Sequence, residues 1–220
     1  FTVTGGEYVD EIGDYAFSGC TLLPDDIFDY FTSITSIGDR AFEGCEAFAD
    51  VTIPDSVTSL GSNIFYDCSN IQSLTVESYS YGSSTNNVTT IYSLFGATSQ
   101  GDYVYDTDGN HYEFYYAYNG YVPTALTTVT LGNVYRLANS AFRGMTELTD
   151  VTVNFVDAYS SSSSYPYPYI GTYAFYECEN LETLTLNSEN GLYGVGTYAF
   201  AYCSSLTEIE LPIHSGFEAS

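Results

Sequence analysis

The chain has 220 residues and is 45% hydrophobic, enough for one domain with a sizeable core or for one long solenoid. Three arginines (Arg40, Arg136, Arg143) and no lysine stand against 28 carboxylates, a formal charge of -25. That balance removes the cations that neutralise phosphate, which argues against nucleic acid or an anionic membrane surface as partner. No apolar run approaches the roughly 20 residues that cross a bilayer.

The sequence opens on Phe1, with no Met, charged leader or signal-like apolar run, so a mature or excised piece is expected. Abundant Tyr, Ser, Thr, Asn and Gly without Lys fits an extracellular setting.

"IGDYAFSGC" at residues 12–20 returns as "IGDRAFEGC" at 37–45. Aligned on the aromatic, seven copies run Phe17–Cys20, Phe42–Cys45, Phe65–Cys68, Phe95–Thr98, Phe142–Met145, Phe175–Cys178 and Phe200–Cys203. Apolar residues follow the Cys position by three, six and eight places. The last two have strand periodicity, as in Leu74/Val76, Val151/Val153, Leu184/Leu186 and Ile209/Leu211.

Each unit therefore reads as one tight apolar turn and one short strand. One unit cannot bury its own apolar side, but stacked copies set Phe over Phe, Cys over Cys and Leu over Leu. Each buried Phe or Leu contributes roughly 1.5–3 kcal/mol against its ordering cost. Gly13, Gly38 and Gly61, each after Ile or Leu, are expected to allow a turn that a side chain would obstruct. Pro54 and Pro212 are expected to stop strands.

Residues 34–65, "ITSIGDRAFEGCEAFADVTIPDSVTSLGSNIF", resemble the BspA-like class of leucine-rich repeats. Its units read approximately I-G-x-x-A-F-x-G-C-x-x-L-x-x-V-x-I-P-x-x-V. The resemblance covers nearly the whole chain and implies one solenoid domain over residues 1–220. The expected coil has a parallel β-ladder on one face and short turns, 3-10 or helical segments on the other. It also implies a secreted or cell-surface protein, with adhesin-like relatives, and brings no catalytic residues or cofactor with it.

Departures from the repeat fall near 77–90, 99–125 and 157–169. The largest separates Thr98 from Leu126, and alternation around "DTDGN" predicts a two-stranded hairpin. It holds Tyr103, Tyr105, Tyr112, Tyr115, Tyr116, Tyr118 and Tyr121, candidate contact residues whose other role would be packing on the coil. The segment "DAYSSSSSYPYPYIG", residues 157–171, is Ser-rich and stiffened by Pro166 and Pro168. Asn87-Val88-Thr89 is the one glycosylation sequon.

Asp106, Asp108 and Asn110 alternate like the start of a calcium loop, but His111 follows where Gly is needed and no Glu closes it. An ordinary turn is expected, with at most a weak, charge-driven Ca2+ association and no metal site. His111 and His214 form no zinc pattern, and no nucleophile elbow or phosphate loop is present. The five cysteines share one repeat phase with Met145 and Thr98, which marks small buried sites with free thiols, although Cys178 and Cys203 lie on neighbouring rungs.

Two functions fit. One is a non-catalytic extracellular binding or adhesion module for a protein or glycan. The other is a structural subunit that self-associates into filaments through open solenoid ends, since no polar cap is evident. If the hairpin makes contacts, replacing Tyr112, Tyr115 and Tyr116 by Ser weakens binding and leaves the circular dichroism melt intact; a collapsed melt would place those rings in the core.

Overall fold

The structure is a computed structural model that describes residues 4–78, 91–96, 100–105, 111–116, 122–156 and 168–212. Along the chain come β1 (Glu11–Ile12), β2 (Ser36–Ile37), β3 (Asp50–Ile53), β4 (Ser59–Leu60), β5 (Ser73–Val76), the one-turn helix α1 (Tyr92–Phe95) and β6 (Gln100–Tyr105). Then follow β7 (His111–Tyr116), β8 (Thr128–Val134), β9 (Asp150–Phe155), β10 (Tyr169–Ile170), β11 (Thr183–Asn187) and β12 (Gly194–Val195).

The main sheet is parallel throughout, and its spatial order β3-β5-β8-β9-β11 is the chain order. Register keeps like residues together: Val51, Leu74, Val129, Val151 and Leu184 form one buried row. Ile53, Val76, Leu131, Val153 and Leu186 form the next. Alternation turns a row of threonines, Thr52, Thr75, Thr130, Thr152 and Thr185, to the other side, where they are exposed or half-buried.

A second column of two-residue strands precedes the Phe17, Phe42 and Phe65 turns (β1-β2-β4) and the Phe175 and Phe200 turns (β10-β12), with Leu137 bridged to Ile170. The sequence pattern did not separate this column from the turn. The predicted hairpin is present as antiparallel β6 and β7, joined through residues 106–110.

The turns form a third column, centred on the phenylalanines. Phe17 stacks on Phe42 with centroids 5.3 Å apart, Phe42 on Phe65 at 6.0 Å, Phe142 on Phe175 at 5.0 Å and Phe175 on Phe200 at 5.4 Å. Phe42 with Phe65, and Phe175 with Phe200, therefore stack as expected within each half of the column.

Backbone amides bind these turns along the stack. Phe17 and the residues two before and two after it donate to Ala41 (2.8 Å), Asp39 (2.9 Å) and Glu43 (2.7 Å) of the next rung. Phe175 repeats the set with Tyr173 and Glu177, donating to Ala199, Thr197 and Ala201. The two flanking donors adopt left-handed backbone, which aims their N–H groups along the axis: Tyr15 has φ 56° and Gly19 φ 73°, Tyr173 φ 56° and Glu177 φ 61°. A side chain in that region costs about 1–2 kcal/mol, so Gly19, Gly44 and Gly144 are the unstrained occupants.

Gly38 and Gly61 serve a different purpose from the turn expected of them. Neither has positive φ; a Cβ on Gly38 would lie 2.6 Å from Asp14 N, and one on Gly61 2.5 Å from Asp39 N. They let neighbouring rungs approach. Gly13, on the first rung, has nothing within 4 Å. The next residue ties the same junctions, since Asp14 and Asp39 each accept the following rung's N–H on Oδ1, at 2.8 and 2.7 Å.

All five cysteines are free. The thiols of Cys68, Cys178 and Cys203 each donate at 3.0 Å to the carbonyl of the preceding rung's Phe, and Cys45 does so at 3.3 Å. Burial pushes Cys45 and Cys68 up to about 12 and Cys178 upward as well.

Two ends depart from expectation. A 3-10 helix, Asp25–Tyr30, takes the strand position of the first rung. Pro24 opens it, Ile27 and Phe28 are buried beneath it, and Asp25 Oδ1 accepts the Ala49 N–H at 2.7 Å, so β3 is covered. At the other end Ile209 and Leu211 form no strand, and β11 is the last member of its sheet.

Glu177→Gly should raise stability by about 0.5–1 kcal/mol net of glycine's unfolded-state entropy, hence Tm by about 1–4 °C in calorimetry. An unchanged or lower Tm would mean that no strain resides there. At pH 8 a thiol reagent should modify exposed Cys20 rapidly and Cys45, Cys68 and Cys178 only on unfolding. Because folding raises those pKa values, their contribution to stability is whole below about pH 8.5 and is lost as pH climbs towards about 12.

Candidate functional site

The hairpin places five of the predicted contact tyrosines on two paired strands. Tyr103 and Tyr105 lie in β6 opposite Glu113 and His111; Tyr112, Tyr115 and Tyr116 lie in β7 opposite Val104, Gly101 and Gln100. Tyr118, Tyr121, Asn87 and the Asp106, Asp108, Asn110 turn lie outside the described residues.

A second tyrosine surface, which the sequence reading passed over, runs along the turn column. Its positions are the residue two before each Phe and those one and two after it. In the last rungs these are Tyr173, Tyr176, Tyr198 and Tyr202. Tyr173 and Tyr198 stack at 5.4 Å and 16°, continuing outside the core the geometry of Phe175 on Phe200. Tyr176 meets Tyr173 edge-on at 5.2 Å and Tyr202 at 5.1 Å. Tyr198 and Tyr202 are 59% and 67% exposed, while Tyr173 and Tyr176 are half-buried.

Each of the chain's three arginines lies over a tyrosine of the following rung. Arg40 is 4.5 Å from the Tyr66 centroid, Arg136 5.0 Å from Tyr169, and Arg143 4.8 Å from Tyr176 and 5.3 Å from Tyr173. Arg40 also pairs with Glu43 at 3.2 Å, and that bond raises its pKa. The cations thus brace rings. Desolvation first, then the charge of Glu177, holds the Tyr176 phenol above its ordinary value, so it stays neutral throughout the physiological range.

Chemically the strip offers flat apolar faces and hydroxyl groups, held in place from beneath. Such a surface can stack on sugar rings, cap cationic side chains, or bury aromatic and aliphatic groups. Among the described residues no group of three His, Cys, Asp or Glu is placed to hold a metal ion, and no helix is long and apolar enough to cross a membrane. A concavity of about 520 Å³ lies between β11 and the segment carrying Glu210 and Pro212.

The family model for the BspA type leucine rich repeat region matches residues 2–97 and 115–215 in six copies. No curated protein matches the chain. Among solved structures it is similar to a leucine-rich cell surface protein of Faecalibacterium prausnitzii (25% identity, TM-score 0.31, 94% of this chain and 46% of that one). A leucine-rich repeat protein of Bacteroides ovatus is 20% identical (TM-score 0.42, 90% and 59%), and the pneumococcal vaccine antigen PcpA 18% identical (TM-score 0.33, 93% and 49%). The chain thus spans about half the length of these proteins.

Proposed function

The chain belongs to the BspA type leucine-rich repeat family, and from that premise we propose that it is a non-catalytic binding or adhesion module acting at a cell surface or outside the cell. The solenoid is the support. The ligand, a protein or glycan, docks on the tyrosine strip of the turn column, with the β6–β7 hairpin as a second contact.

One observation carries this reading: Tyr173, Tyr176, Tyr198 and Tyr202 are partly or largely open to solvent, yet fixed against each other and against Arg143. Rings already immobilised lose little side-chain entropy on binding, which is why Tyr serves contact surfaces well. The charge of -25 selects the partner further, favouring neutral or basic surfaces.

The double variant Tyr173→Ser/Tyr176→Ser tests the strip, since Ser140 already fills the Tyr173 position one rung earlier. The wild-type chain should bind members of a glycan array or a panel of immobilised extracellular-matrix proteins, and the variant should bind them at least tenfold more weakly with its melt preserved. Equal binding by variant and wild type would remove the strip from the site.

A further inference from the structure

The exposed asparagines among the described residues are, with one exception, held by hydrogen bonds or followed by a bulky residue. Asn70 Nδ2 donates to the Glu46 carbonyl at 2.8 Å, Asn187 Nδ2 donates to Asn154 Oδ1 at 2.7 Å, and Asn139 Oδ1 accepts the Thr172 N–H at 3.0 Å. Asn133 precedes the buried, β-branched Val134. Asn180 precedes Leu181, which is buried and whose N–H is spent on the Cys178 carbonyl at 3.2 Å. Asn190 differs on each count.

Its side chain is exposed and has no hydrogen-bond partner among the described residues, and the residue that follows it is Gly191. With φ 81°, Gly191 lies in left-handed backbone and carries no Cβ to screen its amide nitrogen. Although the residue is covered, its N–H donates to no acceptor among the described residues. Both residues belong to the loop that joins β11 to β12. That loop is tied around this amide and not at it. Ser188 Oγ donates to the Gly191 carbonyl at 2.9 Å, the Leu192 N–H to the Pro212 carbonyl at 3.1 Å, and the Tyr193 N–H to the Pro168 carbonyl at 2.8 Å.

We propose that Asn190–Gly191 is a self-modification site of the folded chain, where the asparagine deamidates with water as the only co-reactant. The Gly191 nitrogen, deprotonated by hydroxide, attacks Asn190 Cγ; the new N–Cγ bond closes a cyclic imide, the Cγ–Nδ2 bond breaks, and ammonia leaves. Water then opens the imide. Cleavage of the N–Cγ bond gives aspartate, and cleavage between that nitrogen and the Asn190 main-chain carbonyl gives isoaspartate, whose chain runs through Cβ and Cγ. No electron changes hands. Either product adds one negative charge to the chain's -25, next to Glu189. Isoaspartate also lengthens the backbone by one methylene between tied residues, so the Ser188–Gly191 and Leu192–Pro212 bonds are the ones it displaces. Tyr193, 61% exposed, rides on the same segment. An aged copy of the protein thus differs from a new one in charge and in the shape of this loop.

Peptide mapping by mass spectrometry, on folded chain held for several weeks in mildly alkaline buffer at physiological temperature, tests this. Resolving the peptides separates Asn190 from Asn119–Gly120, a second such pair that lies outside the described residues. Asn190 should gain one dalton, amide becoming acid, at least tenfold faster than Asn180 in the same sample. Its peptide should become a substrate for an isoaspartate-specific methyltransferase, and the rate should rise with pH. Asn190→Gln should remove both signals from that peptide and keep the wild-type melt. Asn190 converting no faster than Asn180, or converting only when the chain is unfolded in urea, overturns the proposal, as does an isoaspartate signal that survives Asn190→Gln.

Discussion

The structure depends on one demand: the backbone amides of each turn must be donated to the next rung, because no strand or helix lies beside the turn to receive them. The left-handed residues flanking Phe17, Phe42, Phe142 and Phe175 meet that demand by rotating their N–H groups onto the stack axis. Once the amides point that way, the rest follows. The rungs come so close that Gly38, Gly61, Gly171 and Gly196 can carry no side chain, the phenylalanine rings fall into register, and the thiols of Cys45, Cys68, Cys178 and Cys203 find the carbonyl of the preceding rung's Phe. An unpaired buried amide costs about 1–3 kcal/mol, comparable to the strain of a left-handed side chain, so neither can be traded away cheaply.

That hierarchy explains what the sequence disclosed. Phe, Cys and the Leu or Val pair recur as residue types because each must fit between two copies of itself, and identity at fixed phase is visible by eye. The left-handed positions are hidden, since Tyr, Arg, Asn, Ser and Glu occupy them as readily as Gly and only the backbone is constrained. Strands of two residues, as in β2 and β4, are too short to show a period. The Asp25–Tyr30 helix breaks the repeat with ordinary apolar residues, so "PDDIFDY" reads as one more variable stretch until Phe28 is seen edge-on to Phe42 at 5.3 Å. The hairpin was legible because its alternation and turn are local.

The tyrosine strip was missed for a related reason. Density of Tyr drew attention to the hairpin, whereas Tyr173, Tyr176, Tyr198 and Tyr202 are spread over two repeats and look like unremarked variable positions. Stacking brings them together: what is a spacing of 25 residues in sequence, Tyr173 to Tyr198, is 5.4 Å between centroids. The same arithmetic sets each arginine over a ring of the following rung. The strip is thus a property of the repeat, and its rigidity is inherited from the buried Phe column one residue away.

A stack generated by repetition has no natural last member, so its ends must be closed by something outside the pattern. Here the main sheet is closed at β3 by the 3-10 helix, with Asp25 supplying the acceptor that a neighbouring strand would have given.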